Sequence, residues 1–368
     1  MCASQRVDCI SDTGWKRNLE ILREGAVTPF REKLEKGALD ELSFYFAPQV
    51  VLLTALELGI FSAIAGGAKS VSSIASATDC STRGMRMVMN CLTAMGLLDK
   101  ENEIYDLNHL SRKYLLPSNE EYIGHLFMYS GQLVKLWLTL PEAVRTGRPT
   151  LSLFTEEERE GLNVAIADAL FQVHRGYAWR LVDVLENHSS ILAEHSAISK
   201  ILDVAAGSAV WSLPFALKYK DAKVTATDFV PVLEAARKYA RQFGVENQYR
   251  FIGADIRETE FGRDEYDLAL LGHICHSEGA HWSQRLIGKC FHALRKNGRL
   301  LIMDYIPDEE RKSDILPLLL AINALLGTEE GETFTFSQYK LWLLNAGFQK
   351  VQTIPINGHS PVIVGLKG

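Results

Sequence analysis

Five polar side chains stand at the ends of short apolar runs in the second half of the chain: Asp203, Asp228, Asp255, His276 and Asp304. The runs before them, Lys200–Val204, Lys223–Asp228, Tyr249–Asp255, Tyr266–Leu271 and Arg299–Asp304, read as strands. In an open parallel sheet, ligands gather beyond the carboxyl ends of the strands, so chemistry is expected at these positions. The loop Leu202–Asp203–Val204–Ala205–Ala206–Gly207–Ser208–Ala209 is made of small residues, which let a ligand approach the backbone and the N–H groups of the next helix. Asp203 serves either that loop or its ligand. Asp228 is placed to accept both hydroxyls of a ribose, which marks a nucleoside without choosing between NAD and another cofactor. Asp255 is placed to meet an adenine amino group, with Ile256 packing on the ring. The fourth and fifth strands should be neighbours, which brings His276 close to Asp304. An imidazole whose second nitrogen meets a carboxylate keeps one tautomer and gains basicity.

Other candidates are set aside. His273 reads as structural or pocket-lining, and His281 and His292 as non-catalytic. Cys275 next to His276 is no nucleophilic partner, because adjacent side chains on an extended segment point apart. The spacing of the His and Cys residues gives no metal-ligand pattern, so no metal is expected.

The elements that must position these residues follow from pattern changes. From Lys200 onward, strands alternate with helices over Leu213–Tyr219, Val232–Phe243, Gln284–Leu294 and Ser337–Ala346. The tail adds Lys350–Ile354 and Ser360–Leu366. This predicts an α/β fold, a doubly wound Rossmann-like parallel sheet closed by a late hairpin. The first part of the chain is mostly helical. The apolar stretch Ala47–Ala68 is broken by Gly59 and Gly66–Gly67 and reads as a buried helix or helix pair, not a membrane span. A capped helix start at Val71–Ala75, a turn at Asp79–Ser81, a helix ending at Gly96, and the segments Leu97–Leu98 and Ile104–Leu107 around a polar tip form a winged-helix pattern. Its second helix offers only Arg83 and Arg86 among core-like residues, so packing or dimer contact is favoured over reading DNA. Between Leu110 and Glu194 runs an aromatic and polar series, Phe127, Tyr129, Gln132, Trp137, Phe154, Phe171, His174, Tyr177 and Trp179. Most are expected in core or interface, and a minority around a flat ligand.

Composition excludes other classes. The chain has 368 residues, 47% hydrophobic and 23% charged, which suits a globular protein and not a disordered or fibrous one. With 39 basic against 45 acidic residues the net charge is −6, unsuited to coating nucleic acid. The six cysteines form no CxxC pair, and the first 25 residues lack a secretory apolar segment, so a reduced, cytoplasmic setting is expected.

The series Leu202–Asp203–Val204–Ala205–Ala206–Gly207, Asp228, Gly253–Ala254–Asp255–Ile256, Ile274–Cys275–His276 and Gly298–Arg299–Leu300–Leu301–Ile302–Met303–Asp304 resembles class I S-adenosylmethionine methyltransferases. More narrowly it is similar to the caffeate and hydroxyindole O-methyltransferase family, also called O-methyltransferase family 2. The resemblance covers nearly the whole chain, since that family also has an N-terminal helical dimerisation region with a winged helix. It implies S-adenosyl-L-methionine as cofactor, a homodimer formed through the N-terminal domain, and a small-molecule methyl acceptor, aromatic or polyketide-like. Neither nucleic acid nor membrane is expected as a partner. The implied domains are 1–110 (dimerisation and winged helix), 111–194 (helical linker and pocket wall) and 195–368 (cofactor-binding methyltransferase).

Carried over by position, the loop with Asp203, Ala205 and Gly207 would hold the methionine portion of the cofactor. Asp228 would take the ribose, and Asp255 with Ile256 the adenine; Phe229 and Gly272 complete the cofactor-binding set. His276 would be the general base, Asp304 the acid that orients it, and Glu332 lies near the family's second supporting carboxylate. The chain departs from the family in places. Alanines replace two loop glycines, His-Asp-Trp becomes His276–Ser277–Glu278, Gly272 replaces a lysine, and Asp304 is one methylene shorter than the usual Glu. The implied chemistry is coherent by itself. A phenol of pKa about 10 is a poor nucleophile at neutral pH until a base such as histidine removes its proton. Two other readings are kept: a C- or N-methyltransferase or non-methylating relative using the same cofactor site, and a winged-helix regulator whose α/β domain senses a nucleoside.

Overall fold

The apolar stretch after Ala47 folds as two helices, α1 (Ala47–Glu57) and α2 (Ile60–Ala65), because Gly59 between them takes a φ of 68°, which other residues resist. The computed structural model describes residues 43–119, 121–151, 156–187, 198–312, 314–356 and 361–368. It divides into two units, Met1–Leu52 and Leu53–Gly368. The first contributes a turn and the start of α1 to the described residues. The reading of the first 25 residues, Cys2, Cys9, Phe154 and the side chain of Gln132 lie outside them. No helix among the described residues is long and apolar enough to cross a membrane.

The winged-helix pattern holds. Ser70 caps α3 (Val71–Ala77) in a reciprocal arrangement with Ser73, and Ser81 caps α4 (Thr82–Ala94). The wing is β1 (Leu98–Glu101) paired antiparallel with β2 (Ile104–Leu107). Helices α5 (His109–Tyr114), α6 (Gly124–Trp137), α7 (Leu140–Thr146) and the long α8 (Glu156–Asn187) lead to the sheet.

That sheet has seven strands: β3 (Lys200–Val204), β4 (Lys223–Asp228), β5 (Tyr249–Gly253), β6 (Tyr266–Gly272), β7 (Leu294–Met303), β8 (Lys350–Ile354) and β9 (Val362–Leu366). Their spatial order is β5-β4-β3-β6-β7-β9-β8. The first five are parallel, and β9 inserts antiparallel between β7 and β8. Successive residues alternate between two apolar layers. Ile201, Leu268, Leu270 and Leu301 enter one, with Phe215 and Tyr239. Leu202, Ala269, Leu271 and Leu300 enter the other, with Leu286 and Leu343. A sheet covered on both faces exposes its chemistry only at its ends. The topology reverses between β3 and β6, and there the crevice opens.

The connecting helices are α9 (Leu213–Lys218), α10 (Val230–Gln242), α11 (Cys275–Ala293), α12 (Ile315–Gly327) and α13 (Phe336–Ala346). Two boundaries differ from expectation. α11 starts at Cys275, well before Gln284, and crosses a kink at Gly279 with φ 76° and ψ 174°. The polar run around that glycine carries no apolar period, which hid the helix. β7 begins at Leu294, five residues before the expected Arg299.

Candidate active site

The loop after β3 turns through three left-handed residues, Ala205 (φ 55°), Gly207 (φ 57°) and Ala209 (φ 59°). Two of these are alanines, which hold this left-handed conformation only under backbone strain. Asp228, at the end of β4, secures the loop. Its carboxylate accepts the Gly207 N–H at 2.9 Å and the Phe229 N–H at 2.7 Å. Asp203 is buried beneath, and burial, opposed by a hydrogen bond from Ser212 and reinforced by the charge of Asp228, pushes its carboxyl up to about 7. Its Oδ2 has no hydrogen-bond partner. Burial raises Asp228 as well.

Beside these acids lies a cleft lined by Ala205, Asp228, Phe229, Asp255, Ile256 and Glu278, among others. Most of the expected cofactor residues therefore meet at one place. Gly272 lies against Trp211: a Cβ there would come within 2.4 Å of the indole Cδ1, so the family's lysine cannot be accommodated without moving that ring. Two acidic groups held uncomfortably, one with an unsatisfied oxygen, fit a ligand that brings hydroxyl donors and positive charge. Arg257 closes the rim, donating from Nε to Glu278 at 2.7 Å and lying over the Trp282 ring.

His276 and Asp304 meet where β6 and β7 end side by side. His276 Nδ1 meets Asp304 Oδ1 at 2.7 Å, and the His276 backbone N–H donates to Oδ2 at 3.0 Å. The Tyr305 N–H adds a bond to Oδ1 at 2.8 Å, and the Tyr339 hydroxyl donates to Oδ2, also at 2.8 Å. Burial favours a neutral Asp304, but His276, Tyr339 and Tyr305 together hold it below the usual carboxylate range. Burial likewise disfavours a charged His276, yet the charge and hydrogen bond of Asp304 prevail and raise it above its ordinary value. An ionised carboxylate only accepts, so the proton sits on Nδ1 and leaves Nε2 as the basic nitrogen. The imidazole keeps 18% of its surface exposed, against 1% for the Asp304 side chain, so an acceptor can reach the ring but not the acid.

Other expectations on this segment are corrected. Cys275 and His276 do not lie on an extended segment; they open a helix, and it is the complete burial of Cys275, which drives its thiol pKa up, that makes it inert. Glu332 does not bring its carboxylate to His276. Its side chain pairs with Arg311 at 3.2 Å and is 55% exposed, while its backbone N–H donates to the His276 carbonyl at 2.8 Å. The loop before it also crowds α11: a Cβ on Gly279 would fall 2.5 Å from the Glu330 carbonyl oxygen. Gly279→Ala should therefore lower stability by about 2–3 kcal/mol, read from the denaturant midpoint, and disturb the turn that presents His276.

Apart from that cleft, a second pocket beside Asp304 is lined by His273, whose ring stacks on His174 at 4.0 Å and lies close to Tyr305 at 4.7 Å. One donor atom from each of His273, His276 and Asp304 lies within 4.8 Å of the others. The 2.7 Å between His276 and Asp304 is hydrogen-bond spacing, so we treat the group as a proton site. Of the middle-region series, His174 and Tyr177 line this pocket with Trp211 and Tyr305, whereas Phe171 stacks on Tyr239 in the core. Trp137 donates through Nε1 to Asn323 of α12 at 3.2 Å. Sequence reasoning did not single out Tyr339, Tyr305 or Trp211. A tyrosine on an apolar helix face reads as core, and nothing local marks its hydroxyl.

Residues 137–349 match the O-methyltransferase domain and residues 40–117 the O-methyltransferase dimerisation domain. The chain is 28% identical over 348 residues to the tetracenomycin polyketide synthesis 8-O-methyl transferase TcmO of Streptomyces glaucescens, covering 93% of this chain and 99% of that one. It is 24% identical over 326 residues to the 3-hydroxy-5-methyl-1-naphthoate 3-O-methyltransferase of Streptomyces sahachiroi, covering 86% and 91%. In fold it is similar to human N-acetylserotonin methyltransferase in complex with SAM, with a TM-score of 0.77 at 24% identity, covering 92% of this chain and 99% of that one. With one domain matched over more than half its length and the dimerisation domain preceding it, the chain belongs to the O-methyltransferase family.

Proposed function

We propose that this protein is an enzyme that methylates a hydroxyl on a small aromatic or polyketide-like metabolite, using S-adenosyl-L-methionine and His276 as general base. The observation that carries this reading is the His276–Asp304 pair at 2.7 Å, on the same segment whose Ile274 and Glu278 line the cofactor cleft. Bound in that cleft, S-adenosylmethionine supplies an electrophilic methyl group. Asp203, the Ala205–Gly207 backbone and Asp228 would hold it, with Asp255 and Ile256 at the adenine, Phe229 at the rim, and Gly272 behind Trp211. His276 Nε2 takes the proton of the acceptor hydroxyl as the oxygen attacks, and Asp304 stabilises the imidazolium that results. The base and the cofactor walls share rigid strand ends, which favours the collinear approach that methyl displacement requires.

The aromatic wall of His174, Trp211, His273 and Tyr305 supports a flat acceptor, and the relatives named after naphthoate and tetracenomycin point the same way. Labelled methyl donor offered with a panel of naphthols, anthraquinones and indoles tests the reading. Incorporation at oxygen supports it; transfer only to carbon or nitrogen, or no transfer, refutes it. Asp228→Ala should weaken S-adenosylhomocysteine binding by about tenfold or more, measured by calorimetry, and unchanged affinity would remove Asp228 from the site. We also assign 1–110 to dimerisation, 111–194 to the pocket wall and 195–368 to the cofactor. The match to a dimerisation domain and the exposed Phe44 and Phe46 support a homodimer. The free thiols of Cys80, Cys91, Cys275 and Cys290 support a cytoplasmic setting.

A further inference from the structure

We infer that Tyr339 is the positioning residue of this site: its hydroxyl, reaching across from α13, locks the Asp304 carboxylate in the orientation that His276 requires. Two oxygens offer four lone-pair directions, and four donors occupy them: His276 Nδ1 and the Tyr305 N–H on Oδ1, the His276 N–H and the Tyr339 hydroxyl on Oδ2. Three of the four belong to segments that directly carry the acid and the base. Tyr339 alone comes from elsewhere, 35 residues along the chain, so it ties the pair to the C-terminal half of the domain.

The phenol is fully buried, its ring edge-on to Phe334 at 6.0 Å and to Trp342 at 5.3 Å. A hydroxyl in such a setting requires a partner, and here the partner is the acid itself. Asp304 is one methylene shorter than a glutamate would be, and it is a hydroxyl, not the distant Glu332 carboxylate, that completes its shell. The groups facing the pair are His273, with Nδ1 at 3.9 Å from Asp304 Oδ1, Tyr305, Tyr339 and the buried Cys275.

Tyr339→Phe removes one oxygen and keeps the ring packing. This inference rests on His276 being the base, so His276→Gln is measured alongside. Loss of the hydroxyl leaves Asp304 more basic and His276 a tighter proton holder. The acid limb of the kcat/KM profile should therefore move to higher pH, and kcat should fall about tenfold with KM for both substrates unchanged. Placing 3-fluorotyrosine at position 339, a stronger donor of nearly the same shape, should move the limb to lower pH. A packing role would move the thermal midpoint but not the limb. If His276→Gln is inactive while both changes at 339 leave the limb and kcat at wild-type values, the role of Tyr339 is refuted and the base stands. If His276→Gln keeps near-wild-type turnover, both fall.

Discussion

Replacing His276 with glutamine should cut methyl transfer by about 10²–10⁴-fold, the usual contribution of a general base, and leave S-adenosylhomocysteine affinity unchanged. The separation follows from the geometry. The cleft is walled by Ala205, Asp228, Asp255 and Ile256, with Ile274 and Glu278 reaching it from either side of His276, while the imidazole itself turns toward Asp304. Glutamine can keep a hydrogen bond to the carboxylate but cannot take a proton at neutral pH. Single-turnover rates with labelled donor, together with calorimetry, distinguish the two effects. Near-normal turnover would show that the acceptor ionises without this residue.

Asp304→Asn should be almost as damaging, and its pH signature is distinct. In the wild-type protein the carboxylate outweighs burial and raises His276 above its ordinary value. Turnover requires the neutral imidazole, so activity is present above that raised pKa and lost as the pH falls through it, placing the acid limb above about 6.5. With asparagine the opposing charge is gone and burial alone acts, so the limb moves below the ordinary histidine value. The plateau at high pH should drop by about 10²–10⁴-fold, because neither the tautomer nor the imidazolium is supported. An acid limb that stays in place would mean that another group titrates there.

Much of this site is legible in the linear sequence because strand ends are. Lys200–Val204, Lys223–Asp228 and Tyr266–Leu271 are apolar runs bounded by polar or small residues, and the sheet delivers whatever follows them to one edge. Asp203, Asp228, His276 and Asp304 thus converge without long-range information. What stayed hidden depends on packing between distant segments. Gly279 kinks α11 against the Glu330 carbonyl, a contact with no local signature. Glu332 lies beside His276 by its backbone while its carboxylate pairs with Arg311, a choice that no alignment position reveals. The stacking of His273 on His174 joins a strand end to the long helix α8, nearly a hundred residues earlier. α12, rich in leucine, has no amphipathic period to mark it in the sequence.

The antiparallel insertion of β9 bears on how the protein is made. Residues Arg299 to Ile302 of β7 pair with Leu366 to Ile363, and the backbone of Lys367 bonds with Asn297 and Gly298. During synthesis, one edge of β7 stays unpaired until the chain through Lys367 has emerged from the ribosome, and Asp304 lies one residue beyond that strand. The loop after β3, held by Asp228 at the end of β4, can assemble long before. The nascent protein therefore passes through a stage in which β7 can pair with β6 while its outer edge stays exposed to neighbours and chaperones. Stop codons upstream of Val362 would arrest it there.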